Sequence, residues 1–235
     1  MPVLRKKFAT IGALLMLALA FQAQASVNKS VKVPDGGQAD GASSVNGSVT
    51  VGTYATISGD LSTVNGSVRV GEGSTIQDAE TVNGSLRIGD GVNARNLETV
   101  NGKIRVGANA VIEGGVSAVN GSIEVAQAST VARDLSNVNG EITLEGSQVS
   151  GDVTTVNGDV NVVDGAVIRG DLVIKKPGGW NWNKDRKPTV IIGPGSRVQG
   201  VIRAEREIKL FISESAEVGG VEGEAKAETF SGRRP

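Results

Sequence analysis

One phrase returns eight times between Val27 and Val162, at intervals of 18 or 19 residues. It reads VNKSVKV at Val27, VNGSVTV at Val45, VNGSVRV at Val64 and VNGSLRI at Val82. It continues as VNGKIRV at Val100, VNGSIEV at Val119, VNGEITL at Val138 and VNGDVNV at Val156. Its asparagines are Asn28, Asn46, Asn65, Asn83, Asn101, Asn120, Asn139 and Asn157, spaced 18, 19, 18, 18, 19, 19 and 18 apart. A fixed period this short specifies one small unit stacked on copies of itself, because no single copy can bury its apolar face alone.

The shape of the unit follows from its apolar offsets. In the repeat that begins at Val100, apolar residues fall at Val100, Ile104, Val106, Ala110, Ile112 and Val116. The next repeat gives Val119, Ile123, Val125, Ser129, Val131 and Leu135, with Ser129 in the small-residue slot. Pairs two residues apart are the mark of short strands with alternating faces. Polar or glycine-rich breaks separate the pairs, and no 3.6-residue helical pattern runs through the repeats. Three short strands and three corners per turn predict an all-β, single-stranded parallel β-helix of triangular section, right-handed, with about ten turns of 18–19 residues. At strand spacing the rod would be roughly 48 Å long. Only five aromatics follow residue 25 (Tyr54, Trp180, Trp182, Phe211 and Phe230), as suits a narrow shaft filled by aliphatic side chains.

Residues 1–25 read as an address rather than as fold. Arg5, Lys6 and Lys7 precede a short apolar run over 11–21, and Ala23-Gln24-Ala25 supplies a small-x-small cleavage site. The run is about half of the roughly 20 residues that a spanning helix needs, so the reading is an export signal and not an anchor. Three of the 24 basic residues and none of the 25 acids lie in this leader, which leaves a mature charge of −4. That balance argues against nucleic acid as a general partner, since phosphate binding needs a basic surface. The chain has no cysteine, hence neither a disulfide nor a lipid-acceptor thiol, and no second apolar stretch suited to a transmembrane segment. The expected location is the periplasm or the cell surface.

The repeat domain is expected over 26–221. Beyond Val156 the phrase fades, but VVDGAVIRGDLVI at 162–174, TVIIGPGSRVQGVI at 189–202 and REIKLFISESAEVGGV at 206–221 each supply a further turn. An insertion at 177–187, PGGWNWNKDRK, must loop out of a corner. The charged, weakly patterned stretch 222–235 is expected to fray as a flexible tail.

The corners carry two readings. Asn and Gly accept positive φ most readily, so Asn-Gly marks a sharp bend. Eight asparagines stacked in register could also hydrogen-bond along the axis as a ladder. Asn28, Asn46, Asn65, Asn83 and Asn120 match the Asn-x-Ser sequon as well, a match that a repeated corner explains without glycans.

Three segments of the last third, VDGAVIRGDL at 163–172, IIGPGSRVQG at 191–200 and EVGGV at 217–221, resemble the bactofilins, a polymer-forming β-helix family of bacteria. The resemblance implies a right-handed triangular coil and end-to-end assembly into filaments. The Val-Asn-Gly phrase is more loosely similar to repeat-rich adhesins of bacterial envelopes. Hexads such as VGEGST at 70–75 and IGDGVN at 88–93 also resemble left-handed hexapeptide acyltransferases, which generally rely on a histidine base, and this chain has no histidine.

Without His or Cys there is no Ser-His dyad, no thiolate nucleophile and no ordinary zinc site, and no cofactor is expected. Carboxylates remain. Asp134, Asp152 and Asp171, with Asp60 in the same frame, recur at one corner. Stacked about 5 Å apart they could form a retaining-glycosidase pair or a hard-cation site, or serve simply as corner residues. The insertion breaks the repeat logic. Its tryptophans Trp180 and Trp182 lie among Lys175, Lys176, Lys184, Arg186 and Lys187, with Asp185 the one acid. Exposed indoles beside cations suit sugar rings or anionic polymers; equally, both rings could fold back over the flank of the coil. Together these readings predict an exported, non-catalytic scaffold of the bacterial envelope that polymerises with itself. The alternative is an adhesin-like module that binds peptidoglycan or envelope polysaccharide through the insertion.

Overall fold

The computed structural model describes residues 25–178 and 186–235, and among them every regular element is a β-strand. The expected export signal lies outside the described residues apart from Ala25, as do residues 179–185 of the insertion. Most strands pair in parallel with the strand three elements further on, so the chain winds as a β-solenoid of about 10 turns. Three strands per turn make three faces. One turn runs from Leu97–Asn101 through Ile104–Val106 to Val111–Ile112, and the next repeats it with Val116–Asn120, Ile123–Val125 and Thr130–Val131.

Through the phrase repeats register follows the sequence period, and it shifts only in the last pairing, between Val198 and Val201 and between Ala204 and Ile208. On one face Leu86 pairs with Ile104, Ile104 with Ile123, Ile123 with Ile142 and Ile142 with Val160. The column continues across the insertion, where Val160 pairs with Val190 and Val190 with Leu210. Each shifted residue would turn an aliphatic side chain outward, so the period-2 pattern locks the stack. Val68, Leu86, Ile104, Ile123, Ile142 and Val160 are all fully buried. Each such side chain contributes about 1.5–3 kcal/mol on leaving water.

The first valine of the phrase lies outside that core in every repeat but the last, where Val156 is buried. Val100 and Val119 are only half-buried, whereas the residues before them, Thr99 and Ala118, point inward. The strand Leu97–Asn101 alternates from Leu97, so the inward positions are 97 and 99 rather than 100. Four of these inward hydroxyls are satisfied against a phrase carbonyl one turn earlier. Ser44 Oγ donates to the Lys29 carbonyl at 3.0 Å, and Thr63 Oγ1 to Gly47 at 2.7 Å. Thr81 does so to Gly66 at 2.9 Å and Thr99 to Gly84 at 3.1 Å. Ser129 in the small slot likewise donates to the Gly107 carbonyl at 2.6 Å and accepts the Ala110 amide at 3.0 Å. These hydrogen bonds offset the cost of burying the hydroxyls.

The bends also sit elsewhere than the phrase suggests. None of the eight phrase asparagines has positive φ; among the described residues the non-glycine positive-φ positions are Tyr54, Asn109, Ala128 and Asp164. Tyr54, Asn109 and Ala128 align with Gly36, Gly73 and Gly91 at the following corner, and Asp164 precedes Gly165, which stacks under Gly195. Space reserves the phrase glycines, and only Gly102 (φ 159°) and Gly140 (φ 121°) among them also have positive φ. A Cβ on Gly84 would fall onto the Gly66 carbonyl oxygen, and one on Gly121 onto that of Gly102.

The C-terminal stretch departs from expectation. Arg197–Ser213 is one long strand that bends around all three faces, and Glu217–Phe230 runs parallel on top of it. Pairing therefore extends beyond Val221 to Phe230, rather than ending where the apolar pattern fades. The template of backbone groups beneath holds a segment whose own side chains are mostly exposed.

Candidate functional site

The phrase asparagines form a continuous amide ladder down one corner. Asn46 Nδ2 donates to Asn28 Oδ1 at 2.9 Å, Asn65 to Asn46 at 2.9 Å and Asn83 to Asn65 at 3.0 Å. Asn101 then donates to Asn83, Asn120 to Asn101, Asn139 to Asn120 and Asn157 to Asn139, all at 2.8–2.9 Å. Every amide points the same way, so the dipoles add along the axis. Arg206 receives the last oxygen: its Nη1 donates to Asn157 Oδ1 at 2.9 Å, and its Nη2 donates to the Arg186 carbonyl. Arg206 is absent from any sequence pattern, because it comes from a turn that no longer carries the phrase.

The aspartate corner binds backbone. Asp134 Oδ1 accepts the Asp152 amide at 3.1 Å, Asp152 Oδ1 the Asp171 amide at 2.9 Å, and Asp171 Oδ1 the Val201 amide at 2.9 Å. The glycine before Asp152 and Asp171 has a local cause. Gly151 lies over the Asp134 carboxylate and Gly170 over that of Asp152, where a Cβ would collide. Among the described residues no group of three His, Cys, Asp or Glu side chains could hold a metal ion. No helix among them is long and apolar enough to cross a membrane.

In the insertion, Trp180, Trp182 and Lys184 lie outside the described residues. Of its other cations, Arg186 pairs with Asp159 at 2.9 Å and Lys187 with Glu207 at 2.9 Å. The bond from Lys187 holds the Glu207 carboxyl below its usual range. Both cations thus anchor the returning chain to the rod.

Sequence reasoning missed an acidic group on the face that carries the phrase valines. Glu80 stacks between Ser62 and Glu98 in register, with Asp78 and Asp60 near it. Arg95 binds Asp78 through two bonds, Nε to Oδ1 at 2.7 Å and Nη2 to Oδ2 at 2.6 Å, and reaches Asp60 at 3.8 Å. Burial first, then Glu98, Asp78 and Asp60, push the Glu80 carboxyl up to about 7 from 4.5. A carboxyl raised on folding binds its proton more tightly in the folded state. Its stabilising share is complete below pH 4.5 and is lost as pH rises through 7. Glu80→Gln, which mimics the protonated form, should therefore gain about 1–3 kcal/mol over wild type at pH 8 and nothing at pH 4.5, after discounting for partial exposure. Urea denaturation at the two pH values checks this; an equal difference at both would mean that folding does not raise the Glu80 carboxyl. The 18-residue spacing of Glu80 and Glu98 was the available signal.

No family model matches the chain, and no curated protein or solved structure matches it.

Proposed function

We propose that the chain is an exported, non-catalytic structural protein of the bacterial envelope, a stiff rod whose copies join end to end. The observation that carries this reading is the last strand. Glu217–Phe230 pairs on one side only, with Arg197–Ser213, so fourteen residues of backbone form an open edge. At the other end, among the described residues, Ala25–Ser26, Val31–Val33 and Gln38–Ala39 pair only with the turn that follows them. Such edges are templates for a further strand.

The two ends differ in charge. The last strand carries Glu217, Glu222, Glu224 and Glu228 against Lys226, while the first turn balances Lys29 and Lys32 with Asp35 and Asp40. Two acidic last strands repel each other while a neutral first turn does not repel one, which favours head-to-tail contacts that propagate over contacts that close. Asn28 begins the amide ladder with its donors directed away from the stack, opposite in sense to the last strand's acids. The bactofilin resemblance supports the same assembly, and the leader supports its place outside the cytoplasm.

Analytical ultracentrifugation and electron microscopy of the purified protein test the reading. Rods that lengthen with concentration, and that shorten when Glu222, Glu224 and Glu228 are changed to Lys, are expected. A monomer at every concentration would refute end-to-end assembly.

A further inference from the structure

The face that carries Leu86, Ile104 and Ile123 inward presents an unusual column outward. Arg69 pairs in register with Arg87, and Arg87 with Arg105, so three arginines stand on three successive turns. The strands are about 4.8 Å apart, and like charges directly opposite one another destabilise a sheet. A chain with 25 acids and 24 basic residues has acids enough to alternate here, yet it does not. Thr50 and Lys32 continue the column below. Beside it runs a column of hydroxyls, in which Ser48 accepts the Ser67 amide at 3.3 Å and Ser67 the Ser85 amide at 3.4 Å. Lys103 takes the place above Ser85, and Ser85, Arg87, Lys103 and Arg105 line a shallow depression.

The top of the column displays the occupant that it selects. Glu124, in register above Arg105, accepts from Arg105 Nε and Nη2 at 2.8 Å on one oxygen, while Lys103 contacts the other. Burial raises this carboxyl, but the bonds from Lys103 and Arg105 outweigh it and hold the group below its usual range. One and two turns lower, Arg87 and Arg69 face solvent, and among the described residues neither has an ion-pair partner.

We infer that the Arg69–Arg87–Arg105 column, with Lys103 and the serine hydroxyls, binds an acidic polysaccharide laid along the rod axis. A polymer with one carboxylate per sugar offers charges at a spacing of the same order as successive turns. Guanidinium forks suit carboxylates, and the hydroxyl column suits the sugar hydroxyls between them. Single-stranded nucleic acid would call for aromatic platforms, whereas this column interleaves arginine with serine. The site is separate from the ends of the rod, so it stands or falls apart from end-to-end assembly.

The test uses the purified protein and polygalacturonate oligomers, with titration calorimetry at low and physiological salt. Binding that weakens with salt is expected, along with at least a tenfold loss in Arg69→Gln/Arg87→Gln and a melting temperature at low salt no lower than wild type. The fully methyl-esterified polymer should not bind. Arg133→Gln/Arg169→Gln, an equal charge change on another side of the rod, should leave affinity unchanged. Four results would overturn the site: no binding of polygalacturonate, undiminished binding by the Arg69/Arg87 variant, equal loss in the Arg133/Arg169 variant, or equal binding of the methyl ester. Polyphosphate or oligothymidylate bound as tightly as polygalacturonate would overturn the assignment to a polysaccharide.

Discussion

Ile104→Asp is expected to cost several kcal/mol, about 4 or more, while Ser122→Asp costs less than about 1. The two positions are close in the structure: the Ile104 amide donates to the Ser122 carbonyl at 2.9 Å. Their side chains differ entirely in surroundings. Ile104 is fully buried between Leu86 and Ile123, in a shaft whose other occupants are aliphatic. A carboxylate there meets no cation and no free donor, so it must either stay charged in an apolar column or bind a proton at the expense of its pKa. Ser122 is part-exposed at the corner above Lys103, where an added acid faces water. In a solenoid each turn contacts only its neighbours, so the Ile104 lesion should loosen the middle of the rod and lower the urea midpoint far more than the corner change. Comparable midpoint shifts for the two variants would contradict the assignment of inside and outside.

The period made the stack legible, because a column of aliphatic residues every 18 or 19 positions has only one way to stay inside. Leu86, Ile104 and Ile123 were readable for that reason, and so was the asparagine ladder, whose members recur in the same frame. Val100 misled because it is apolar and next to Asn101, yet the strand's alternation starts at Leu97 and turns Val100 outward. Thr99 was overlooked as polar, although its hydroxyl is spent on the Gly84 carbonyl and its methyl can line the shaft. The Glu80–Glu98 pair and the Arg69–Arg87–Arg105 column were present at the same spacing but hidden, because the outward positions vary from turn to turn and only a few agree. Arg206 was beyond reach, since its place beside Asn157 depends on how the chain returns from the insertion. The strand Glu217–Phe230 lacks an inward aliphatic rhythm, and it is held by the ladder beneath it rather than by its own pattern.

The glycines separate two physical demands, and a pair of alanine substitutions would measure them. Gly121→Ala should lower stability by about 3 kcal/mol or more, and Gly91→Ala by about 1. Intuition from backbone propensity gives the opposite order, because Gly91 has φ +63° and Gly121 has no left-handed φ at all. Space decides instead. Around Gly91 the nearest atoms to an added Cβ are at 4.0 Å, so alanine there suffers only the strain of its own left-handed conformation. At Gly121 the methyl would occupy the position of the Gly102 carbonyl oxygen, which is backbone and cannot rotate away. The two turns would have to part at that corner. Parting them strains the Asn120 to Asn101 amide bond at 2.9 Å and the Gly102 amide bond to the Asn120 carbonyl at 3.0 Å, each worth about 1 kcal/mol. Urea denaturation followed by circular dichroism gives both values. A larger loss for Gly91→Ala would mean that the corner of the phrase is selected for backbone conformation, and that the close contact between stacked turns is not what reserves these sites for glycine.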